Sequence, residues 1–271
     1  MTEVVVQDYY TTHVGQEWRR LARHPYSRLE FATTMHFLEQ HLPQHGCILD
    51  AGGGPGRYTI ELAKRGYDVV LLDLTPANLV FAQRQIQRSK VGTRVKSVVE
   101  GTIVDLSQYA DNTFDAVICT GGPLSHVVDR QDRERAIAEL IRVARPGAPI
   151  FVSVMGRLGV LVLELMEGPD EIELPLFAHL RDTGEYWGGA GFTPCFFFLP
   201  EELRAAFTDK GVDVVEMVGL EGISSRQPRH FNQLAKHATR FKIWLETHYK
   251  TCAHPAVVGM SEHMLIVCRK Q

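Results

Sequence analysis

Apolar positions in the first 45 residues recur three and four apart, from Gln16 to Arg23 and from Ser27 to His41. That spacing predicts amphipathic helices, with Pro25 and Pro43 as punctuation. From Cys47 the pattern changes to short runs that are apolar at nearly every position. These predict strands over Cys47 to Ala51, Asp68 to Asp73, Val95 to Glu100, Phe114 to Cys119 and Ala148 to Val154. Helical stretches separate them: Tyr58 to Arg65, Pro76 to Ser89 and about Asp132 to Ala144, with Thr75 as an N-cap candidate before Pro76. Strands apolar on both faces that alternate with helices imply a parallel sheet covered on both sides.

The rhythm stops after Met155. Residues 156–198 are rich in glycine, acids and aromatics (Tyr186, Trp187, Phe192, Phe196, Phe197, Phe198) and read as an insertion after the fifth strand. Regularity returns with a helix from Pro200 to Lys210, a strand from Val212 to Val218, a helix over roughly Pro228 to Thr247 and a closing strand from Ser261 to Arg269. The expected fold is α/β, a Rossmann-like, doubly wound, mostly parallel seven-stranded sheet with helices on both faces. A single domain over residues 1–271 is expected. It divides into an N-terminal helical cap (1–45), a ligand-binding core (46–155), a substrate-cap insertion (156–198) and the C-terminal part of the sheet (199–271).

Composition narrows the function without choosing it. The chain of 271 residues is 45% hydrophobic and 23% charged, with a formal net charge of −3. No basic stripe is available for a polyanion, so no nucleic-acid partner is expected. No apolar run reaches the ~18 residues of a membrane span, and no leader pattern precedes the first helix. The five cysteines, Cys47, Cys119, Cys195, Cys252 and Cys268, form no Cys-x-x-Cys pair. Neither a disulfide framework nor a zinc ribbon is indicated, no metal site is expected, and a reducing cytoplasmic setting follows. Cys47, Cys119 and Cys268 lie in apolar runs and read as small core residues.

The segment Ile48-Leu49-Asp50-Ala51-Gly52-Gly53-Gly54-Pro55-Gly56-Arg57 ends the first strand and opens a helix. Glycines there let the backbone approach a ligand closely, and the helix N-terminus favours negative charge. Nucleotide binders of several kinds share such a loop. The dinucleotide fingerprint needs a small residue where Arg57 stands, and Asp50 would repel a pyrophosphate while suiting a ligand with an ammonium group.

These residues resemble the first motif of the class I S-adenosylmethionine (SAM)-dependent methyltransferases. Leu71-Leu72-Asp73-Leu74 resembles the second motif, Gly101-Thr102-Ile103 occupies the third, and Phe114 to Leu124 matches the fourth. Arg142 to Ala148 is similar to the turn before the fifth strand. The resemblance covers about 46–154 and resumes near 199–269. It implies S-adenosyl-L-methionine as cofactor, with Gly52, Gly53, Gly54 and Gly56 against its methionine part and Asp50 near its amino group. It implies Asp73 on the ribose hydroxyls, Leu74 and Ile103 around the adenine, and Thr120 and Gly121 beside the sulfonium. The third motif departs from the family's usual acid: Thr102 stands there, whose hydroxyl can accept one hydrogen bond from the adenine amino group, with Asp105 or a backbone carbonyl as substitutes.

Methyl transfer needs alignment and exclusion of water, and a base only where the acceptor must lose a proton. His126, just past the fourth strand, is the candidate base; its alternative is a structural histidine in the turn. Tyr10, with Tyr9 and His13, is a second candidate set that either meets the cofactor or packs. Arg23-His24-Pro25 either aids an anionic acceptor or is a solvated helix end. Trp187, Phe192 and Phe196 to Phe198 are expected to be part core and part pocket wall. The expected partner is a small-molecule methyl acceptor, in a monomer or homodimer. Competing readings are a methyltransferase for protein or RNA, a nicotinamide-dependent oxidoreductase, and a SAM-binding protein without catalysis.

Overall fold

The computed structural model of the protein describes residues 2–189 and 191–271. Two helices, α1 (Thr2–Arg20) and α2 (Pro25–His41), precede β1 (Cys47–Ala51), β2 (Asp68–Asp73), β3 (Val95–Glu100), β4 (Ala116–Cys119) and β5 (Pro149–Met155). Between these strands run α3 (Arg57–Lys64), α4 (Pro76–Arg88) and α5 (Arg130–Val143). The insertion holds α6 (Arg157–Glu167), α7 (Pro175–Thr183) and a two-stranded ribbon of β6 (Glu185–Tyr186) and β7 (Cys195–Phe196). The chain then forms α8 (Pro200–Phe207), β8 (Val212–Gly219), α9 (Pro228–Leu234), α10 (Ala238–Thr251), α11 (Pro255–Val258) and β9 (His263–Lys270).

The seven long strands form one sheet in the order β3-β2-β1-β4-β5-β9-β8. The first five are parallel to one another. Their sequences explain their places: every residue of β4 and β5 is buried, whereas β3, at the edge, alternates partly exposed positions. Strand β9 enters antiparallel between β5 and β8, so its first residue, His263, pairs with Met155 at the carboxyl end of β5. That placement brings a histidine to the edge of the sheet where ligands of open α/β folds bind. Among the described residues no helix is long and apolar enough to cross a membrane.

Several expected elements differ. The first helix begins at Thr2 rather than Gln16 and ends at Arg20. Its Val4-Val5-Val6 and Tyr9-Tyr10 pairs are poor helix formers that hide the signal. The helix placed over 228–247 is two, broken around Lys236 and His237. The insertion is more regular than its composition suggests, because α6 and α7 pack around Met155, Val160, Leu180, Cys195 and Phe197. Phe196 and Phe198 join the main core, Phe192 is half-buried and Trp187 is 61% exposed, so Trp187 is neither core nor wall. Cys119 and Cys268 are buried, as are Cys195 and Cys252, while Cys47 is only half-buried.

Candidate active site

The order of the sheet reverses between β1 and β4, and a cavity of about 260 Å³ opens there at the carboxyl ends of the strands. Its floor is the β1–α3 loop. Gly52 N and Gly53 N both donate to Leu72 O, at 2.7 and 3.1 Å, which ties the loop to β2. Gly54 has φ +55, and a Cβ there would meet no atom closer than 3.8 Å, so it would enter the open space. Its N–H donates to Asp73 Oδ2 at 2.8 Å.

Asp73 is 7% exposed and lines the cavity. Its other oxygen accepts from Thr75 N at 2.9 Å and Asn78 Nδ2 at 3.1 Å. Burial raises its pKa, and the bonds from Thr75, Asn78 and Gly54 oppose that rise. Leu74 and Ile103 face the same space, as do Thr102, Thr120 and Gly121. Consecutive left-handed glycines, Gly121 and Gly122, shape the turn after β4, and Gly121 N donates to Ser153 Oγ of β5 at 2.8 Å.

Three sequence-predicted residues lie elsewhere. Asp50 is fully buried beneath the loop: a Cβ on Gly53 would come within 2.5 Å of its Cγ. It accepts a 2.6 Å bond from Thr59 Oγ1, and burial pushes it up to about 7 against that bond. Asp50 therefore anchors the loop to α3 rather than lining the cavity. Gly56, at φ +83, packs toward Ala82 of α4 and is also outside the lining. Asp105 turns to the surface, where Oδ1 caps Ser107 N at 2.9 Å.

Helix α1 supplies Tyr10, a sequence candidate, together with residues that sequence reading missed. Glu3, Val6, Tyr10, Glu17 and Arg20 all line the cavity. Their spacing of three, four, seven and three is one face of a helix, a signal available in the sequence once α1 is extended to Thr2. Glu3 Oε1 accepts from Thr102 Oγ1 at 2.9 Å, bringing a carboxylate to the third motif, where the sequence itself has none. Gln7 Nε2 donates to Leu74 O at 3.0 Å and fastens the helix over the end of β2.

Tyr10 and His126 come together. Tyr10 Oη lies 2.8 Å from His126 Nε2, and His126 Nδ1 is 3.3 Å from Pro194 O. Both ring nitrogens thus have protein partners. With Nδ1 carrying the proton toward the carbonyl, Nε2 accepts from the phenol. Burial depresses the imidazole to about 4 and raises the phenol, so the pair is neutral at pH 7. Tyr9 stacks on His13 with ring centroids 4.2 Å apart and meets Phe192 edge-on.

A second cavity of about 320 Å³ lies between β5, α6 and the insertion. Met155, Val160, Leu163, Leu180, Phe192 and Phe197 form its apolar wall; Glu164, Arg226, Glu262 and His263 supply polar groups. Phe192 also packs on His126, with centroids 5.7 Å apart, and Met155 Cγ is 3.7 Å from where a Cβ on Gly122 would lie. The two cavities are therefore neighbours across Phe192 and Met155. Between them run charged side chains: Arg20 pairs with Glu30, and Glu30 Oε2 lies 3.8 Å from His263 Nδ1. Glu30, Glu221 and His263 converge closely enough to offer three metal ligands. The Arg20 guanidinium on Glu30 and the His263 ring on Glu221 already serve that charge.

The residues of the first cavity suit a SAM-like ligand. Asn78 Oδ1 and Thr120 Oγ1 are buried without a protein partner, and both residues line it. Buried polar atoms left so are expected to find a partner in a bound group. Asp73 Oδ2, with one protein donor, keeps acceptor capacity for a ribose hydroxyl, while Oδ1 already accepts two bonds.

Comparisons with known proteins agree with this geometry. A family profile described as a methyltransferase domain matches residues 48–147. The ubiquinone biosynthesis O-methyltransferase of Pseudomonas syringae pv. tomato is 30% identical over 190 residues, 70% of this chain and 70% of that protein. The glycine/sarcosine N-methyltransferase of Aphanothece halophytica is 29% identical over 130 residues, 47% of this chain. The chain spans 44% of the length of that protein and 65% of the ubiquinone biosynthesis O-methyltransferase of Hahella chejuensis. In fold, the chain is similar to a SAM-dependent methyltransferase of Methanosarcina mazei, with a TM-score of 0.59 at 19% identity over 86% of this chain and 96% of that one. It is also similar to the 1,6-didemethyltoxoflavin-N1-methyltransferase of Burkholderia thailandensis, with a TM-score of 0.59 at 16% identity over 99% and 88% of the two chains. The fold, the glycine cradle and these matches define a class: the chain belongs to the class I SAM-dependent methyltransferases, whose cofactor is S-adenosyl-L-methionine.

Proposed function

We propose that this chain transfers a methyl group from SAM to a small-molecule acceptor, with the cofactor in the first cavity and the acceptor in the second. The observation that carries the proposal is the adjacency of the two cavities across Phe192 and Met155. When bound, SAM supplies a methyl group already activated by its sulfonium. The chain's work is to hold both reactants in line and exclude water, worth up to roughly 7–11 kcal/mol of barrier.

In this reading Asp73 takes the ribose hydroxyls, Leu74 and Ile103 flank the adenine, and Gly52–Gly54 lie along the methionine part. Glu3 is placed to meet the adenine amino group in place of the family's acid. Thr120 and Gly121 border the sulfonium, and Arg20, with a guanidinium nitrogen 3.4 Å from the Cβ position of Gly121, is placed for the cofactor carboxylate. Residues 1–45 and 156–198 act as caps on one domain, since both line the cavities. A cavity of this size, with an apolar wall and charged groups at Glu164, Glu167, Glu171, Arg226, Glu262 and His263, suits a small organic molecule rather than a macromolecule. Relatives named for glycine, sarcosine and ubiquinone biosynthesis support the same acceptor class.

Calorimetry with S-adenosylhomocysteine and with NAD tests the assignment. Binding of the former alone is expected, and binding of NAD alone would overturn it.

A further inference from the structure

His263 is the histidine that sequence reading passed over. It begins β9, and because that strand runs antiparallel it stands beside Met155 at the ligand edge and lines the second cavity. Its Nδ1 is 2.8 Å from Glu221 Oε1. Glu221 is itself fixed: Oε2 accepts from Ser261 Oγ at 2.9 Å and from the His263 backbone N–H at 2.9 Å, and the residue is 3% exposed. A carboxylate so held sets the imidazole tautomer with the proton on Nδ1 and leaves Nε2 as the basic nitrogen. Among the described residues Nε2 has no hydrogen-bond partner, and the side chain keeps 20% of its surface exposed. A base on a buried orienting acid, with its other nitrogen facing a pocket, is the general arrangement for proton abstraction.

We propose that His263 is the catalytic base of the second cavity, taking the proton of a phenol or amine acceptor at Nε2 while Glu221 holds Nδ1. This rests on the methyl-transfer reading above. The acceptor's X–H proton moves to Nε2, and the freed electron pair forms the bond to the methyl carbon as the carbon–sulfur bond breaks. The imidazolium that remains is stabilised by Glu221 and Glu30, and its proton passes to solvent through the cavity mouth.

The surroundings set the strength of this base. Glu30 from α2 and Glu221 after β8 face the ring; Arg20 of α1 opposes them from behind Glu30. On the cavity side stand Glu164 and Glu167 of α6, Glu171 and Tyr186 of the insertion, and the Arg226–Glu262 pair, whose nearest atoms are 3.1 Å apart, with Tyr26 donating to Glu262. Burial works against the charged ring, but Glu30 and Glu221 outweigh it and raise the imidazole to about 9. At pH 7 the ring is therefore mainly imidazolium, and only its minority neutral form takes a proton, so the base gains as pH rises toward 9. In that neutral form its strength approaches that of a phenolate or an alkylamine, whose conjugate acids have ordinary pKa values near 10.

Alkylation tests the proposal without methyl transfer. Phenacyl bromide, an aromatic halo-ketone sized for the cavity, is expected to alkylate His263 of the full-length protein and spare His126, as mapped by peptide mass spectrometry. The rate should rise about tenfold from pH 7 to 8 and level off above about pH 9. Millimolar 4-nitrophenol should slow it several-fold, and Glu30→Gln should move the midpoint down by about one pH unit or more. Modification of His126 ahead of His263, a rate at His263 independent of pH, no protection by the phenol, or an unmoved midpoint in a folded Glu30→Gln variant would each overturn it. Calorimetry with S-adenosylhomocysteine separates the two readings. Cofactor binding with an inert His263 defeats this inference alone; alkylation as described without cofactor binding defeats the methyl-transfer reading.

Discussion

His126 and His263 stand at the same edge of the sheet, on either side of Phe192 and Met155, and their surroundings drive them in opposite directions. His126 is packed by Tyr10, Phe192 and a carbonyl, with burial holding it neutral down to about pH 4. His263 is held between two buried carboxylates and keeps its proton to about pH 9. The first cavity joins glycines, backbone N–H groups and a neutral polar pair to charged residues, Glu3, Glu17, Arg20 and Asp73, and at His126 desolvation outweighs them; around His263 two carboxylates outweigh desolvation. Burial alone leaves an imidazole neutral, and only nearby negative charge makes it a strong base.

Breaking the first region should have the largest effect. Gly54→Val forces a branched side chain into a left-handed backbone position and fills the cradle. It is expected to lower S-adenosylhomocysteine affinity by at least about 100-fold in calorimetry, on the scale of losing about 2.7 kcal/mol. Alkylation of His263 should be unchanged, and a loss at both sites would mean the regions are not separable. Asp73→Ala comes next: affinity should fall at least about tenfold, and Gly54 N and Thr75 N lose their acceptor. Leaving such buried donors unpaired costs on the order of 1–3 kcal/mol each, so thermal stability should fall as well.

The stability–pH curve tests the contrast directly. His263 is raised above its unfolded value near 6.5, so the folded state binds the extra proton between the two values. Its stabilisation is complete below about pH 6.5 and is lost as pH rises through about 9. His126 is depressed, so acidification from about 6.5 to 4 protonates the unfolded chain first and lowers stability. Buried His248, also lowered to about 4, adds to the acid limb. Denaturant titrations across pH 4–10 should show both limbs. Glu221→Gln, by weakening the hold on His263, should flatten the alkaline limb and leave the His126 part of the acid limb in place.

The smallest effect is expected from Tyr10→Phe. It removes one neutral hydrogen bond to His126, worth about 1 kcal/mol, with less than a threefold change in cofactor affinity. A larger loss of affinity would return Tyr10 to the cofactor itself.

The strand ends that build the first cavity were legible in the sequence because their pattern is local. Gly52 to Gly54, Asp73 and Thr120-Gly121 each end a strand, and a strand end at a switch point is a place that pattern and spacing can identify. Asp50 was expected beside the cofactor amino group; its burial below the loop depends on Thr59 and on Gly53 closing over it, neither of which spacing reveals. Glu3 was hidden in a β-branched helix start. His263 was hidden for a different reason. Its function depends on the direction of β9 and on Glu30 and Glu221, which lie far away in sequence and meet only in the folded sheet.

The reversed course of β9 also sets a timetable. A chain made from its amino end completes β1 to β4, and with them the cofactor crevice, while β5 still has an open flank. Chains tend to fold from the amino-terminal side during synthesis. Strand β9, made last, then joins β5 and carries β8 into the sheet, closing that flank and delivering His263 last. A nascent chain could thus hold a ready cofactor cradle before it has any group able to ionise an acceptor, and ligand capture would precede reactivity in the life of each molecule.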